Sequence, residues 1–453
     1  MLDALAHVGR DPVTGGYVRD AWSDADLELR AWFAGESARR GLDLTEDRNG
    51  NLWAWWGDPA GEPGVATGSH LDSVRQGGAY DGPLGVVSAF SALDLLRERG
   101  FRPRRALAVV CFTDEEGARF GVPCVGSRLL TGAMTPERAL GLTDDRGDTL
   151  ADVLTRAGRD PRALGPDPET LARVGAFVEL HVEQGRALAA LDRPVGVGRS
   201  IWPHGRWRFD LRGRADHAGT TRLADRDDPM LLLARLVQAA REAAVRHEAL
   251  ATVGKVLVTP NNANAVPGHV AAWLDARGPD EESVRALVRE VVALLSEPDA
   301  RALSGSDLLA GAPGEPARRV EVREESWTPL VEFDRDLRER IARAVEGTAG
   351  QESGQATGRT AGQVPGETAG QTSGQTAGQT SGRVAASGAG RVPVLATGAG
   401  HDAGILAAAG VRAAMLFVRN PTGVSHSPEE HAEEADCRAG VIALADVLEE
   451  LCR

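Results

Sequence analysis

The chain has 453 residues with 51 basic and 65 acidic side chains, a formal net charge of −14 that disfavours nucleic acid and anionic membrane as partners. Its length exceeds one comfortable core and calls for two domains, and no run approaches the ~18 to 20 apolar residues that cross a bilayer. Four cysteines with no Cys-x-x-Cys pair exclude a disulfide framework, and Met1–Arg10 lacks a basic region followed by an apolar core, so a cytoplasmic protein is expected.

In chain order, Asp24 to Arg40 reads as a helix, and Asn49-Gly-Asn51 as a turn into an alternating strand that ends at Trp56. Gly64-Val-Ala-Thr-Gly68 is short, apolar and bounded by glycine, while Arg105 to Thr113 has the continuous apolar run of a buried parallel strand. Between them Pro83 takes a favoured first-turn position ahead of a helix from Leu84 to Arg99. Strand and helix patterns alternate to about Ser200, as in an α/β sheet.

From Gly205 the character changes. Arg206–Arg212 alternates, Pro229–Val245 is helical, Ala251–Thr259 and His269–Ala276 are β-like, Glu281–Leu295 is helical, and Arg319–Arg323 closes the set. This β-α-β-β-α-β order predicts a ferredoxin-like unit over 205–326, inserted into a domain formed by 1–204 and 327–453. The sheet pattern resumes near Leu330, with a helix over Asp334–Glu346 and an apolar strand at Ala413–Val418. A Gly/Gln/Thr-rich tract over 347–391 repeats every four residues in its core; almost without bulky apolar side chains, it is expected to stay disordered.

The chemistry-bearing residues sit where apolar runs end. Thr67-Gly-Ser-His-Leu-Asp72 closes the first such run, Tyr80-Asp81-Gly82 precedes the helix, and Cys111-Phe-Thr-Asp-Glu-Glu-Gly117 closes the second. In open α/β sheets the working crevice lies beyond the carboxyl ends of the strands, so His70, Asp72, Asp114, Glu115 and Glu116 should converge there. His181, in Phe177-Val-Glu-Leu-His-Val-Glu-Gln-Gly185, and His426, in Gly423-Val-Ser-His-Ser-Pro-Glu-Glu430, join them. Each alone would pass for an ordinary loop carboxylate or solvated histidine. Together they are the donor set of a carboxylate-bridged two-metal site, suited to Zn²⁺, Mn²⁺, Co²⁺ or Ni²⁺, and they point to hydrolysis.

Carried by these motifs, the chain resembles the dimetal amidohydrolases of the aminoacylase and glutamate-carboxypeptidase superfamily. Within it the resemblance is to the branch of N-carbamoyl-L-amino acid hydrolases, β-ureidopropionase and allantoate amidohydrolase, and it runs from about Asp24 to the C-terminus. The histidine of Glu-Leu-His-Val-Glu-Gln-Gly marks the branch, since peptidase and aminoacylase relatives carry a carboxylate there. The resemblance implies a catalytic domain with a mixed central sheet and helices on both faces, and makes 205–326 a lid and dimerisation domain. It implies that Asp81 bridges two divalent ions, with His70 and His181 completing one site and Glu116 and His426 the other. Glu115 would be the general base, and Asp72 the natural acceptor for the His70 imidazole N–H.

In Arg214-Ala-Asp-His-Ala-Gly-Thr-Thr221, His217 matches the histidine that crosses a dimer interface to stabilise the oxyanion. Asn264 and Arg277 match the residues that grip a substrate carboxylate, for which the planar guanidinium is well shaped. Gln184 and the turn Gly398-Ala-Gly400 are further matches, the turn offering N–H groups to an anion. The family's His-Ala-Gly-Thr-Thr-Pro-Met reads His217-Ala-Gly-Thr-Thr-Arg-Leu223 here. Small anionic ureido compounds are the implied substrates, allantoate first and N-carbamoyl-L-amino acids second, with Trp202 and His204 placed to distinguish them. A third reading, a non-catalytic metal-binding scaffold, requires loss of Glu115 or a ligand, and all are present.

Overall fold

A computed structural model describes residues 1–296, 319–356 and 391–453. The chain divides into two compact units: Met1–Ser200 with the described residues from Glu332 onward, and the intervening Ile201–Val331.

The first unit is built on a nine-stranded mixed sheet. Its first six strands are β1 (Asp43–Glu46), β2 (Leu52–Trp56), β3 (Gly64–His70), β4 (Leu107–Phe112), β5 (Val174–Val182) and β6 (Val195–Ile201). After the inserted strands β7 (His204–Arg212), β8 (Asp216–His217), β9 (Leu250–Thr259), β10 (Ala265–Val266), β11 (His269–Arg277) and β12 (Val320–Thr328) come β13 (Val331–Glu332), β14 (Val394–Thr397) and β15 (Ala413–Val418). The order is β1-β2-β4-β3-β5-β15-β6-β13, with β14 beside β6. Strands β4, β3, β5 and β15 run parallel, and every residue of β3, β4 and β15 is buried. Such strands cannot face water on either side, which is why their sequences read as apolar runs. The helix Pro83–Glu98 packs across β3, β4 and β5 and against Glu434–Cys452. Where it meets the sheet, Gly85 leaves no room for a side chain: an added Cβ would lie 2.4 Å from the Leu180 carbonyl.

The helix expected to stop at Glu346 runs on to Ala356. Once Leu337 and Ile341 bury its first turns, each further residue adds a hydrogen bond without a new nucleation cost. Residues 357–390 of the Gly/Gln/Thr tract lie outside the described residues.

The inserted unit is a four-stranded antiparallel sheet ordered β12-β7-β11-β9, carrying the helices Pro229–Arg246 and Glu281–Ser296, together with a two-stranded ribbon of β8 and β10. Phe209, Leu211, Leu274, Leu236, Leu287 and Val291 form its core. Strict alternation of buried and half-buried residues along β7 shows that one sheet face packs on the helices while Arg206, Arg208 and Asp210 occupy the other. No described helix is long and apolar enough to cross a membrane.

Candidate metal centre

Strand register assembles the site. His70 is the last residue of β3 and lies level with Phe112 of β4, so the turn Thr113–Glu116 begins where His70 ends. On the other side of β3, β5 carries His181 level with Phe417 of β15, after which the chain returns with Ser425 and His426. Asp81 enters from the loop before the helix Pro83–Glu98, with Gly82 at φ +82°. Asp114 and His426 also hold left-handed backbone, at φ 54° and 56°. That conformation is uncommon away from glycine, and here it clusters at one site.

The Asp81 carboxylate is the hub. Its Oδ1 lies 3.1 Å from His181 Nε2 and 3.7 Å from His70 Nε2. Its Oδ2 lies 3.5 Å from His426 Nε2, which is 3.6 Å from Glu116 Oε2. The donor atoms of His70, Asp81 and His181 fall within 4.8 Å of one another, as do those of Asp81, Glu116 and His426. Glu115 Oε2 stands 3.6 Å from His70 Nε2. Gln184 donates to Asp81 Oδ2 at 2.9 Å and to Ser425 Oγ at 3.1 Å.

These residues fit divalent cations. His70 Nδ1 and His181 Nδ1 donate to the backbone carbonyls of Asp72 (3.1 Å) and Val182 (2.9 Å), which turns each Nε2 lone pair inward. Both Nε2 atoms and Glu116 Oε1 are buried without a hydrogen-bond partner, an arrangement costly unless another group meets them. Charge tells the same story. Burial raises Glu116 to about 8, with the facing Asp81 carboxylate adding to it, and pushes Glu115 well above the usual carboxylate range. Burial opposes a proton on His181, yet Asp81 outweighs it and lifts the imidazole to about 9. So many carboxylates in one buried space favour positive charge among them.

One placement differs from expectation. The Asp72 carboxylate, expected to take the His70 N–H, lies 3.6 Å from His70 Nδ1, and the Asp72 backbone carbonyl accepts instead. The carboxylate is drawn away because it accepts the backbone N–H groups of Glu115 (3.2 Å) and Glu116 (3.0 Å), thereby fixing the turn that presents both glutamates.

Sequence reasoning missed several supports. Glu430 Oε1 accepts the backbone N–H groups of Tyr80 and Asp81, each at 2.9 Å, and so holds the Asp81 loop. It stands four residues after His426 in a motif already singled out, but only tertiary contact reveals its role. His401 is buried with its ring 4.5 Å from that of His181, and burial keeps it well below the usual histidine range, hence neutral. Glu179, two residues before His181, accepts from Ser69 Oγ and the Ala403 N–H.

Within the inserted unit, the β8/β10 ribbon brings His217 beside Asn264. Ala265 pairs with His217, and the Ala218 N–H donates to the Asn264 carbonyl at 3.0 Å. Arg277, at the end of β11 and level with His204 of β7, forms a two-point ion pair with Asp275 (2.7 and 3.2 Å). Gly400 is exposed, next to His401, the N-cap of the helix Asp402–Ala408.

Residues 66–450 match the peptidase family M20/M25/M40. The chain belongs to that family. It is 32% identical over 445 residues to an N-carbamoyl-L-amino acid amidohydrolase of Geobacillus stearothermophilus, covering 98% of this chain and 95% of the relative. To an allantoate amidohydrolase of Bacillus subtilis it is 30% identical over 459 residues, covering 99% and 96%. Among solved structures, a hydantoinase/carbamoylase-family amidase of Burkholderia vietnamiensis superposes with a TM-score of 0.78 at 25% identity, covering 100% of this chain and 96% of that one. The M20 match spans residues 66–450 and takes in the inserted unit as well as the candidate metal centre.

Proposed function

We propose that this M20-family chain is a metal-dependent amidohydrolase that cleaves a ureido C–N bond. Allantoate is the first substrate: with water it yields ureidoglycine, ammonia and CO₂. The observation that carries this reading is the Asp81 carboxylate, whose two oxygens face two different sets of donors. His70, Asp81 and His181 would hold one divalent ion, and Asp81, Glu116 and His426 a second, with Mn²⁺ or Zn²⁺ the first candidates. When bound, such ions polarise a carbonyl and lower the pKa of water towards neutrality. Glu115, beside His70, takes the proton of the attacking water and returns it to the departing nitrogen. Gln184 is assigned to substrate binding on the motif match, a reading supported by its contacts to Asp81 and His426.

His217, Asn264 and Arg277 are assigned to the oxyanion and to the substrate carboxylate, with Gly400 offering its N–H. This assignment rests on the motif match, and it makes the working form a two-fold dimer in which the partner subunit's His217 completes each site. Four unpaired thiols agree with a cytoplasmic location. A second substrate reading, N-carbamoyl-L-amino acids, is supported by the 32% identity to the Geobacillus stearothermophilus relative.

The test is ammonia release by Mn²⁺-loaded protein from allantoate and from several N-carbamoyl-L-amino acids, beside Glu115→Gln. Glu115→Gln should retain metal and lose at least about 100-fold in turnover, the lower range for a lost general base. Wild-type protein inert on every ureido compound would overturn the proposal, and preference for an N-carbamoyl-L-amino acid would overturn the choice of allantoate.

A further inference from the structure

We infer that Cys124 positions the general base, its S–H donating to one oxygen of Glu115 so that the other faces the reacting water. This inference rests on the proposed role of Glu115. Cys124 Sγ lies 3.3 Å from Glu115 Oε1, while Oε2 points to His70 Nε2. Among the described residues no other hydrogen-bond donor reaches the Glu115 carboxylate, which is only 5% exposed. A buried carboxylate with a single donor depends on that donor for its orientation.

The backbone is built to hold this contact. Cys124 caps the helix Val125–Thr131 in left-handed conformation, φ 57° and ψ 37°. From there three successive N–H groups reach back along the glutamate turn: Cys124 to the Glu115 carbonyl (2.7 Å), Val125 to that of Asp114 (3.0 Å) and Gly126 to that of Thr113 (2.9 Å). Thiol and carboxylate thus belong to two segments stitched together at three points, and neither can drift independently of the other. Burial, reinforced by the facing Glu115 carboxylate, pushes the thiol well above its ordinary value, so Cys124 keeps the proton it donates. Of the four cysteines, it alone hydrogen-bonds a side chain of the candidate centre among the described residues.

The experiment compares wild type, Cys124→Ala and Cys124→Ser as metal-loaded full-length proteins. Each is assayed for kcat, KM and bound metal per subunit. Cys124→Ala should lower kcat about tenfold, with KM and metal content within twofold of wild type, because the base loses orientation while ligands and substrate contacts remain. Cys124→Ser keeps an O–H donor and should recover kcat to within about threefold. Should Cys124→Ala fail to fold, Cys124→Gly, which suits the left-handed backbone and also lacks a donor, takes its place with the same expectation. Full kcat in the donor-free variant overturns the inference, as does a serine variant no better than alanine, or a loss confined to metal content. An inert wild type overturns the assignment of Glu115 and this inference with it; an active wild type with an equally active Cys124→Ala overturns only the inference.

Discussion

Gly82→Ala tests the geometry of the centre without replacing any proposed ligand. A Cβ on Gly82 would lie 2.4 Å from His70 Cε1, 2.5 Å from Nδ1 and 2.7 Å from Nε2, against an ordinary contact of 3.4 Å. The imidazole must therefore retreat by about 1 Å, a displacement that in an active site costs on the order of 100-fold. It has nowhere to go, being 1% exposed and tied through Nδ1 to the Asp72 carbonyl. We expect kcat/KM for ureido hydrolysis to fall about 100-fold, equivalent to about 2.7 kcal/mol of transition-state stabilisation, with metal content reduced as well. Alanine at φ +82° also strains the backbone, and Gly100→Ala separates the two effects. Gly100 sits at φ +70° with no atom within 4 Å of an added Cβ, so it reproduces the strain without the collision. Ammonia release and metal analysis on both variants decide the matter. If Gly82→Ala binds as much metal and turns over as fast as Gly100→Ala, His70 is not the ligand proposed.

Glu430→Ala removes the acceptor of two backbone N–H groups and frees the Asp81 loop; kcat/KM should fall roughly 10- to 100-fold, as when groups supporting a metal ligand are lost, and unchanged kinetics would refute the role. In the inserted unit, Phe209→Ala empties the fully buried centre of the sheet–helix core and should cost about 3–5 kcal/mol in denaturant unfolding; less than about 1 kcal/mol would contradict the packing described. Asp334 caps the helix Arg335–Ala356, accepting the Leu337 N–H at 2.7 Å, so Asp334→Ala should cost about 1 kcal/mol at pH 7. Burial alone would raise the Asp334 carboxyl, but the Leu337 N–H and Arg412 hold it below its ordinary value. Its stabilisation is therefore present above the unfolded-state value of about 4 and is lost as pH falls through the lower folded value. The gap between wild type and Asp334→Ala should shrink on acidification, and a pH-independent gap would refute the assignment.

Several features needed no coordinates. Parallel strands covered on both faces must be continuously apolar, so β3, β4 and β15 stand out as runs, and the residues that end them are by topology at the crevice. His70 and the Asp114–Glu116 turn are visible for that reason. The alternation from Arg206 and two amphipathic helices likewise mark the inserted unit, because period and turn chemistry are local properties.

What the tertiary structure alone decided is how distant segments meet. Which Asp81 oxygen faces which histidine depends on the register of β3 against β4 and of β5 against β15, set by ladder hydrogen bonds across long sequence separations. The Asp72 carboxylate, assigned by proximity to His70, is instead captured by two N–H groups of the glutamate turn. Glu430 and Cys124 carry no periodic or motif signal for the tasks they perform. Each acts through a single side-chain oxygen or sulfur whose partner is chosen by how loops close over the sheet edge, and a one-dimensional pattern of apolar and polar residues does not encode that closure.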